Sequence, residues 1–345
     1  RSTQAKTLFP YTTLFRSIRV GIHGLGRIGR TFLRASLGFE HFQVVVASDL
    51  HPLDTMSHLL KYDSVHGTSH EFTSDSDGWK SKSGGEIKYY QKNQSSEIPN
   101  WKAYDVDVVV ECTGAFLNLG SLEKHMASGA KRVLLSAPID DPEVPLVVLG
   151  VCDDQWKTRK VVSCASCTTN SAAHMIQLID ECCGIESCYI TTVHSYTGDQ
   201  RLQDAPHKDL RRSRGALQSI VPTTTGAAKA LTKVFPHLAD KMGGCGMRVP
   251  VPDGSLTDIT SIVRQPISIE EINAQFKWAA SNRWSGIVEY TEDPIVSVDV
   301  IDNKHSCLFD AGMTSVIGNM VKVVGWYDNE VGYSNRLCDI IAQWK

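Results

Sequence analysis

A glycine-rich turn near residue 26 constrains the fold of this chain more than any other feature of its sequence. Gly24, Gly26 and Gly29 follow an apolar run at residues 18–22 and precede a helix predicted over residues 28–37. Glycines at this spacing permit a tight turn and a close approach of the backbone to a pyrophosphate. The N-terminus of the following helix favours the negative charge of that group. The pattern therefore predicts a dinucleotide site at the first strand-to-helix turn.

A second strand extends this unit and leads to an acidic residue. Residues 43–47 form another apolar run, which completes a βαβ unit with parallel strands and a right-handed crossover. Asp49 stands 20 residues after Gly29, where its carboxylate can accept hydrogen bonds from the adenosine ribose. The same charge would repel the extra phosphate of NADP. We therefore predict NAD as the cofactor.

The strand patterns divide the chain near residue 166, and its 345 residues are enough for two domains. Before that point, apolar runs at residues 106–110 and 132–136 predict strands buried on both faces of a doubly wound α/β sheet. After it, apolar and polar residues half alternate, which is typical of antiparallel strands, at residues 256–264, 295–300 and 320–327.

The first 17 residues differ in character from the rest of the chain. They contain three cations and no acid, and the triplet Thr-Leu-Phe occurs twice, at residues 7–9 and 13–15. We interpret residues 1–17 as a non-native or disordered segment that resembles translated vector sequence, with a transit peptide as the alternative. The predicted NAD-binding domain then spans residues 18–166.

Composition excludes several classes of function. The formal net charge of -3 gives no general attraction for nucleic acid or an anionic membrane, and no apolar run is long enough to span a bilayer. Ten cysteines are too few and too irregular for a disulfide framework, so we expect reduced thiols in the cytoplasm. Cys164 and Cys167 have no second pair at zinc-finger spacing, and we assign no metal.

Cys167 is the strongest candidate for a nucleophile. Apolar residues before it predict a strand, and apolar residues after it recur at helical spacing as far as Gly184. The free N–H groups and the dipole of that helix would stabilise a thiolate, so we expect the pKa of Cys167 to be lowered. The alternative is an ordinary buried cysteine. His194, at the end of a predicted short strand, is the candidate base.

A long loop predicted over residues 195–221 carries a group of basic residues that includes Arg212. Arg248 and the hydroxyls of residues 223–225 lie further along the chain. A charged run of this kind is usually a solvated surface, and a nucleic-acid patch is a second alternative. The third alternative is a clamp for a substrate phosphate.

Together these residues resemble the phosphorylating glyceraldehyde-3-phosphate dehydrogenase family, and the match runs from residue 18 almost to the end of the chain. The segments that carry it are residues 24–30, 59–67, 165–170, 194–197, 206–212, 222–229 and 326–330. The resemblance implies a Rossmann NAD-binding domain and an α+β catalytic domain at residues 167–330 with a mostly antiparallel sheet. It also implies a C-terminal helix at residues 331–345 that returns to the first domain, and a homotetramer.

The resemblance assigns a role to each matching residue. Cys167 would attack glyceraldehyde 3-phosphate to form a hemithioacetal and then a thioester, with His194 as base, and inorganic phosphate would cleave the thioester. The substrate phosphate would be held by Thr197 and Arg248. The attacking phosphate would be surrounded by Ser166, Thr168, Arg212, Thr225 and Gly226. The residues for NAD would be Gly24, Gly26, Arg27, Ile28, Gly29, Asp49, Ser136 and Asn329.

The chain departs from the family at a few positions. Cys164 stands where Asn is common, and its spacing from Cys167 could support either a reversible disulfide or simple packing. Ala205 is common in forms that accept NADP, whereas Pro206 is usual in NAD-specific forms. Two alternatives remain for the function as a whole. One is erythrose-4-phosphate dehydrogenase, and the other is a non-catalytic relative that binds NAD or nucleic acid.

Overall fold

The structure, a computed structural model, describes residues 16–344. The segment interpreted from sequence as non-native, residues 1–17, lies outside the described residues apart from its last two. Within residues 16–344, no helix is long and apolar enough to cross a membrane. The domain boundaries drawn from the sequence stay a prediction.

The first large sheet contains eight strands in the order β10-β9-β8-β1-β2-β7-β6-β5. Six of them run parallel, and β6 and β5 add an antiparallel edge. A separate two-stranded ribbon pairs β3 with β4. The strands of this half of the chain are β1 (Ile18–His23), β2 (Phe42–Asp49), β3 (Tyr62–Asp63), β4 (Gly67–Thr68), β5 (Phe72–Ser74), β6 (Gly78–Ser81), β7 (Glu86–Gln91), β8 (Val108–Glu111), β9 (Arg132–Leu135) and β10 (Val161–Ser163).

Three α-helices accompany this sheet in the first half of the chain. The predicted βαβ unit is confirmed, because β1 and β2 pair in parallel and the first helix connects them in sequence. The helices are α1 (Arg27–Ser36), α2 (Leu53–Lys61) and α3 (Leu119–Ala127). Short 3-10 helices lie at Trp101–Tyr104 and Asp154–Thr158. The predicted apolar strands are β8 and β9, both buried as a doubly wound sheet requires.

The second large sheet is mostly antiparallel, in the order β12-β13-β11-β14-β18-β16-β15, with β17 paired to β18. Its strands are β11 (Ile185–Ser195), β12 (Val221–Thr223), β13 (Met242–Val249), β14 (Ser255–Val263), β15 (Val288–Thr291), β16 (Cys307–Asp310), β17 (Ser315–Ile317) and β18 (Met320–Tyr327). The remaining helices are α4 (Cys167–Cys183), α5 (Gly226–Val234), α6 (Ile269–Ser281) and α7 (Val331–Gln343). Further 3-10 helices span Ala216–Gln218, Pro236–Lys241, Ser297–Val300 and Ala311–Met313.

The prediction of a strand at residues 295–300 is wrong. This segment is irregular and ends in a 3-10 helix, Ser297–Val300, which the Asp299 carboxylate closes by accepting the N–H of Val296 at 2.8 Å. Val296 and Val298 are exposed, and only Val300 is buried. Alternation of valines therefore did not mark a buried face here, because the 3-10 helix turns Val298 to solvent and Val300 to the interior.

The C-terminal helix α7 packs against the first sheet although it follows the second sheet in sequence. Tyr333, Leu337, Ile341 and Trp344 belong to the same buried apolar cluster as Phe32 of α1. A second cluster forms where α4 and α6 cover the second sheet. The chain thus crosses twice between the two sheets, at α4 and at α7, and the cavity described below lies between these crossings.

The glycine turn at the end of β1 has the tight packing that its sequence predicts. Gly24 has a φ of +97°, which favours glycine, and a Cβ on Gly29 would lie 2.0 Å from the carbonyl oxygen of Gly24. A Cβ on Gly26, in contrast, would meet nothing within 4 Å. Gly24 and Gly29 are therefore needed for the turn itself, whereas Gly26 keeps the surface open.

We expect Gly29→Ala to lower the free energy of unfolding by about 1–3 kcal/mol, because the new methyl group must displace the backbone of the turn. Gly26→Ala is the matched control, since its φ of -63° suits any L residue, and we expect a change within about 0.5 kcal/mol. Urea unfolding of both variants measures the difference. Equal stability of the two variants would contradict this account of the turn.

Candidate active site

Cys167 lies at the N-terminus of α4, directly after a strained turn from β10. Ala165 has a φ of +56°, an uncommon backbone conformation for a residue with a Cβ, and its carbonyl accepts a hydrogen bond from the Tyr333 hydroxyl at 3.0 Å. The Ser166 hydroxyl caps the helix by accepting the N–H of Thr169 at 3.0 Å. The turn and the cap together leave the thiol at the first position of the helix.

His194 lies one residue before the end of β11, a strand of 11 residues rather than the short strand predicted. Its Nε2 atom is 3.5 Å from the Sγ atom of Cys167, and its Nδ1 atom is 2.8 Å from the carbonyl oxygen of Ser195. The ring also stands edge-on to Tyr327, at 6.0 Å between centroids. The structure therefore brings the two candidate catalytic residues into contact.

The expected lowering of the thiol pKa is not found in this arrangement. Burial raises the pKa of Cys167 to about 11, although the positive charge of Arg248 and hydrogen bonds from Thr168 act in the opposite direction. Burial, together with the charge of Arg248, lowers the pKa of His194 to about 3. Desolvation thus disfavours the charged form of each group, the thiolate of Cys167 and the imidazolium of His194.

Arg248 approaches the back of the catalytic imidazole. Its Nη1 atom lies 2.6 Å from Nδ1 of His194 and donates to the Ser195 carbonyl at 3.0 Å. The same Nδ1 atom cannot accept from Arg248 and donate to the carbonyl at once. The tautomer of His194 therefore depends on where the guanidinium group is held.

A small cavity of about 190 Å³ lies on one side of Cys167. Arg212 donates to the Thr223 hydroxyl at 2.9 Å and pairs with Asp199 at 2.5 Å. Thr225 and Gly226 begin α5, whose N-terminal N–H groups favour an anion. The hydroxyl of Thr168 also borders this cavity and forms a hydrogen bond of 2.8 Å with Tyr327.

A larger cavity of about 830 Å³ extends from Cys167 to the glycine turn. Asn329 lines it with its amide oxygen held by the hydroxyls of Ser195 and Ser255, at 2.8 and 2.7 Å. The amide NH₂ is then the group that Asn329 can offer to a ligand. The other sequence-predicted residues that line this cavity are Gly26, Arg27, Ile28, Ser136, Ser166, Cys167, His194, Thr197 and Arg248.

Asp49 lies at the end of β2, beyond the residues that line the larger cavity. Its Oδ2 atom accepts the N–H of Leu25 at 2.7 Å, and its Oδ1 atom accepts the N–H of Leu50 at 2.7 Å and contacts Nδ1 of His51 at 2.9 Å. The carboxylate therefore supports the glycine turn, and its contact with the adenosine ribose stays a prediction. A dinucleotide fits here, because the space beside Gly26 is open and no side chain caps the N-terminus of α1.

Several contacts of this site could not be assigned from sequence patterns. The buried Tyr327 hydroxyl bridges Thr168 and Thr192, and Arg27 pairs with Asp63 and Glu330 across the two halves of the chain. Tyr327 and Glu330 fall within segment 326–330, which carries the family resemblance. The resemblance therefore pointed to these two residues, but it assigned neither of them a role. Asp63 falls within segment 59–67 in the same way, and no sequence pattern indicated that it pairs with Arg27.

Cys164 is completely buried, and burial raises the pKa of its thiol to about 12. Its backbone oxygen accepts a hydrogen bond of 2.8 Å from the Asn170 amide. The core position agrees with a packing role. The reversible disulfide with Cys167 stays a prediction.

The fold and this site fit one class of protein, a dinucleotide-dependent oxidoreductase, here with a cysteine and a histidine in contact beside the larger cavity. Two family models match the chain: the glyceraldehyde 3-phosphate dehydrogenase NAD binding domain over residues 18–119, and the C-terminal domain of the same family over residues 166–329. The chain therefore belongs to the glyceraldehyde-3-phosphate dehydrogenase family.

Similar proteins match over almost their whole length. The glyceraldehyde-3-phosphate dehydrogenase of Mycobacterium avium is 46% identical over 333 residues, which cover 94% of this chain and 98% of the relative. Glyceraldehyde-3-phosphate dehydrogenase 2 of Streptomyces avermitilis is 48% identical over 329 residues, covering 94% and 97%. The family assignment thus extends across both halves of the chain.

We expect His194→Asn to slow alkylation of Cys167 by iodoacetamide at pH 7 by about tenfold or more, because the buried thiol must then ionise without its partner. Its alkylation rate should keep rising with pH toward 11, where burial places the pKa. His41→Asn, at an exposed histidine, is the matched control. An unchanged rate profile in His194→Asn would show that the two residues are not coupled.

We expect Asp49→Ala to weaken NAD and to move the NAD-to-NADP preference toward NADP by about tenfold or more, because an acceptor and a repelling charge are lost together. Steady-state kinetics with both cofactors measure the ratio. Asp54→Ala removes a nearby exposed acid in α2 and should leave the ratio unchanged. An unchanged ratio in Asp49→Ala would mean that Asp49 does not face the ribose.

Proposed function

We propose that this protein oxidises D-glyceraldehyde 3-phosphate to 1,3-bisphosphoglycerate with NAD and inorganic phosphate, as a step of glycolysis or gluconeogenesis. The observation that carries the proposal is the contact of 3.5 Å between Cys167 Sγ and His194 Nε2 at the meeting point of two cavities. One cavity reaches the dinucleotide turn, and the other is lined by arginine, hydroxyls and a helix N-terminus. This arrangement suits an aldehyde that carries phosphate.

The cysteine and the histidine perform the covalent chemistry. Sγ of Cys167 bonds to the aldehyde carbon while His194 passes the thiol proton to the carbonyl oxygen, which gives a hemithioacetal. His194 then takes the hydroxyl proton as the hydride departs, and the carbon becomes a thioester. NAD supplies the hydride acceptor when it is bound. A phosphate oxygen finally attacks the thioester, and the sulfur leaves to recover its proton from His194.

Two sets of residues hold the two anions in this proposal. Thr197 and Arg248 bind the phosphate of the substrate. Ser166, Thr168, Arg212, Thr225 and Gly226 surround the attacking phosphate. This assignment is supported by the half-buried Arg248 guanidinium beside His194 and by the small cavity at the start of α5.

Arg248 links substrate binding to the catalytic base. A substrate phosphate that draws the guanidinium away from His194 leaves Nδ1–H free to donate to the Ser195 carbonyl. The lone pair of Nε2 then faces Sγ of Cys167, which is the orientation that a base needs. Substrate binding thus selects the active tautomer.

NAD is held by the residues around the glycine turn, Arg27, Ile28, Asp49, Ser136 and Asn329. The same proposal includes a homotetramer in the cytoplasm. Exposed apolar side chains on the long loop, at Leu202 and Leu210, support assembly with further copies. Ten unpaired cysteines support a reducing compartment. Erythrose-4-phosphate dehydrogenase is not favoured, because the relatives described above are named for glyceraldehyde 3-phosphate.

Absorbance of NADH at 340 nm tests the proposal. We expect NADH to form from glyceraldehyde 3-phosphate only when inorganic phosphate is present. Cys167→Ser should abolish turnover and retain NAD binding, because a serine hydroxyl does not ionise appreciably near neutral pH. Cys182→Ser, at the far end of α4, is the control and should keep its activity. Turnover of Cys167→Ser at the wild-type rate would contradict the mechanism.

A further inference from the structure

A second group of ionisable side chains lies where the two halves of the chain meet, outside the reacting centre. His66, between β3 and β4, faces four acids from the second half: Asp253, Asp302, Asp328 and Glu330. We call these five residues the junction cluster. Asp253 and Asp328 are buried, and Glu330 is 8% exposed.

One carboxylate oxygen in the junction cluster lacks a partner. Asp253 is 1% exposed, and its Oδ1 atom accepts the N–H of Gly254 at 2.8 Å. Its Oδ2 atom is buried without a hydrogen bond from any described residue and points toward His66 Nε2, 3.7 Å away. An unpaired buried carboxylate is costly, so either a cation or an extra proton is needed there.

His66 is oriented as a histidine ligand would be. Its Nδ1 atom lies 2.7 Å from the carboxylate of Asp302, an arrangement that fixes the tautomer of a metal-bound imidazole. Its Nε2 atom then faces Oε2 of Glu330 at 2.9 Å and Oδ2 of Asp253 at 3.7 Å. All three atoms lie within 4.8 Å of one another. Bonds of about 2.0–2.2 Å to one ion place neighbouring donors about 3–3.5 Å apart, which is close to this spacing.

We propose that His66 Nε2, Asp253 Oδ2 and Glu330 Oε2 bind a divalent first-row metal ion at the junction of the two halves. One imidazole and two carboxylates form a donor set that suits ions such as Mn²⁺ or Zn²⁺. The ligands come from positions 66, 253 and 330, so no local spacing pattern could reveal the site. The ion ties the two halves together beside the larger cavity, which Glu330 also lines.

Three features compete with the ion. Although burial acts in the opposite direction, hydrogen bonds to Glu330 and Asp302 raise the pKa of His66 to about 9, so an ion at Nε2 must displace a proton. Arg27 already donates to Glu330 from Nε at 2.8 and 3.0 Å, and its Nη2 atom is in direct contact with Oε2, the proposed ligand atom, although the same guanidinium also pairs with Asp63.

Burial, the neighbouring charge of Asp328 and a side-chain hydrogen bond with Asp328 raise the pKa of Asp253 to about 8, so a proton shared by these two acids is the alternative. The two oxygens of Asp328, however, already accept three backbone N–H groups. A measurement of Mn²⁺ binding distinguishes a bound metal ion from a proton shared by the acids.

Electron paramagnetic resonance of added Mn²⁺ tests the proposal on the full chain after chelator treatment. Mn²⁺ is used because it favours oxygen and nitrogen donors over the thiols of this protein. We expect one Mn²⁺ per chain, bound in the submillimolar range, with spin-echo coupling to an imidazole nitrogen. Asp253→Asn should lower the affinity by about tenfold or more, and Asp240→Asn, at an exposed acid, should not.

The unfolding temperature provides a second measurement. Mn²⁺ should raise it in the wild type by mass action and should not raise it in His66→Gln. Absence of stoichiometric Mn²⁺ binding in the wild type, binding without imidazole coupling, or unchanged affinity in Asp253→Asn would overturn the metal site. Absence of stoichiometric Mn²⁺ binding would indicate that a proton, rather than a metal ion, neutralises the buried carboxylates. The spin-echo measurement on the wild type decides the question even if neither variant folds.

Discussion

The turn from β10 into α4 is the constraint on which the rest of the site depends. Ala165 is held in a left-handed conformation, and the Tyr333 hydroxyl from α7 holds its carbonyl. Such a conformation costs of order 1–3 kcal/mol and persists only where the surroundings enforce it. Here the helix that enforces it comes from the other end of the chain. The position of Cys167 therefore depends on the return of α7 to the first sheet.

The site also depends on the second sheet, because Cys167 contacts His194 of β11. β11 pairs with β13 on one side and β14 on the other, so that His194 and Arg248 lie opposite each other in neighbouring strands. Burial raises the pKa of Cys167 and lowers that of His194, so it disfavours the charged form of both side chains.

Sequence patterns predicted the parts of this structure that depend on local spacing. The glycine turn, α4 after Cys167 and the strand at Met320–Tyr327 follow directly from glycine positions and apolar periodicity. The predicted strand at 295–300 failed because the 3-10 helix there turns Val298 to solvent and Val300 to the interior. Contacts between distant segments, such as Tyr333 with Ala165, leave no periodic signal. The pKa of Cys167 was misjudged for a related reason, since burial is a property of the folded site.

The central claim is that Cys167 carries the acyl group between oxidation and phosphate attack. Mass spectrometry of the protein quenched after mixing with glyceraldehyde 3-phosphate and NAD, without phosphate, tests it most directly. The account predicts an acyl adduct on the peptide that contains Cys167, which disappears when phosphate is added before the quench. An adduct on another cysteine, or an unmodified Cys167 in a sample that has formed stoichiometric NADH, would contradict it.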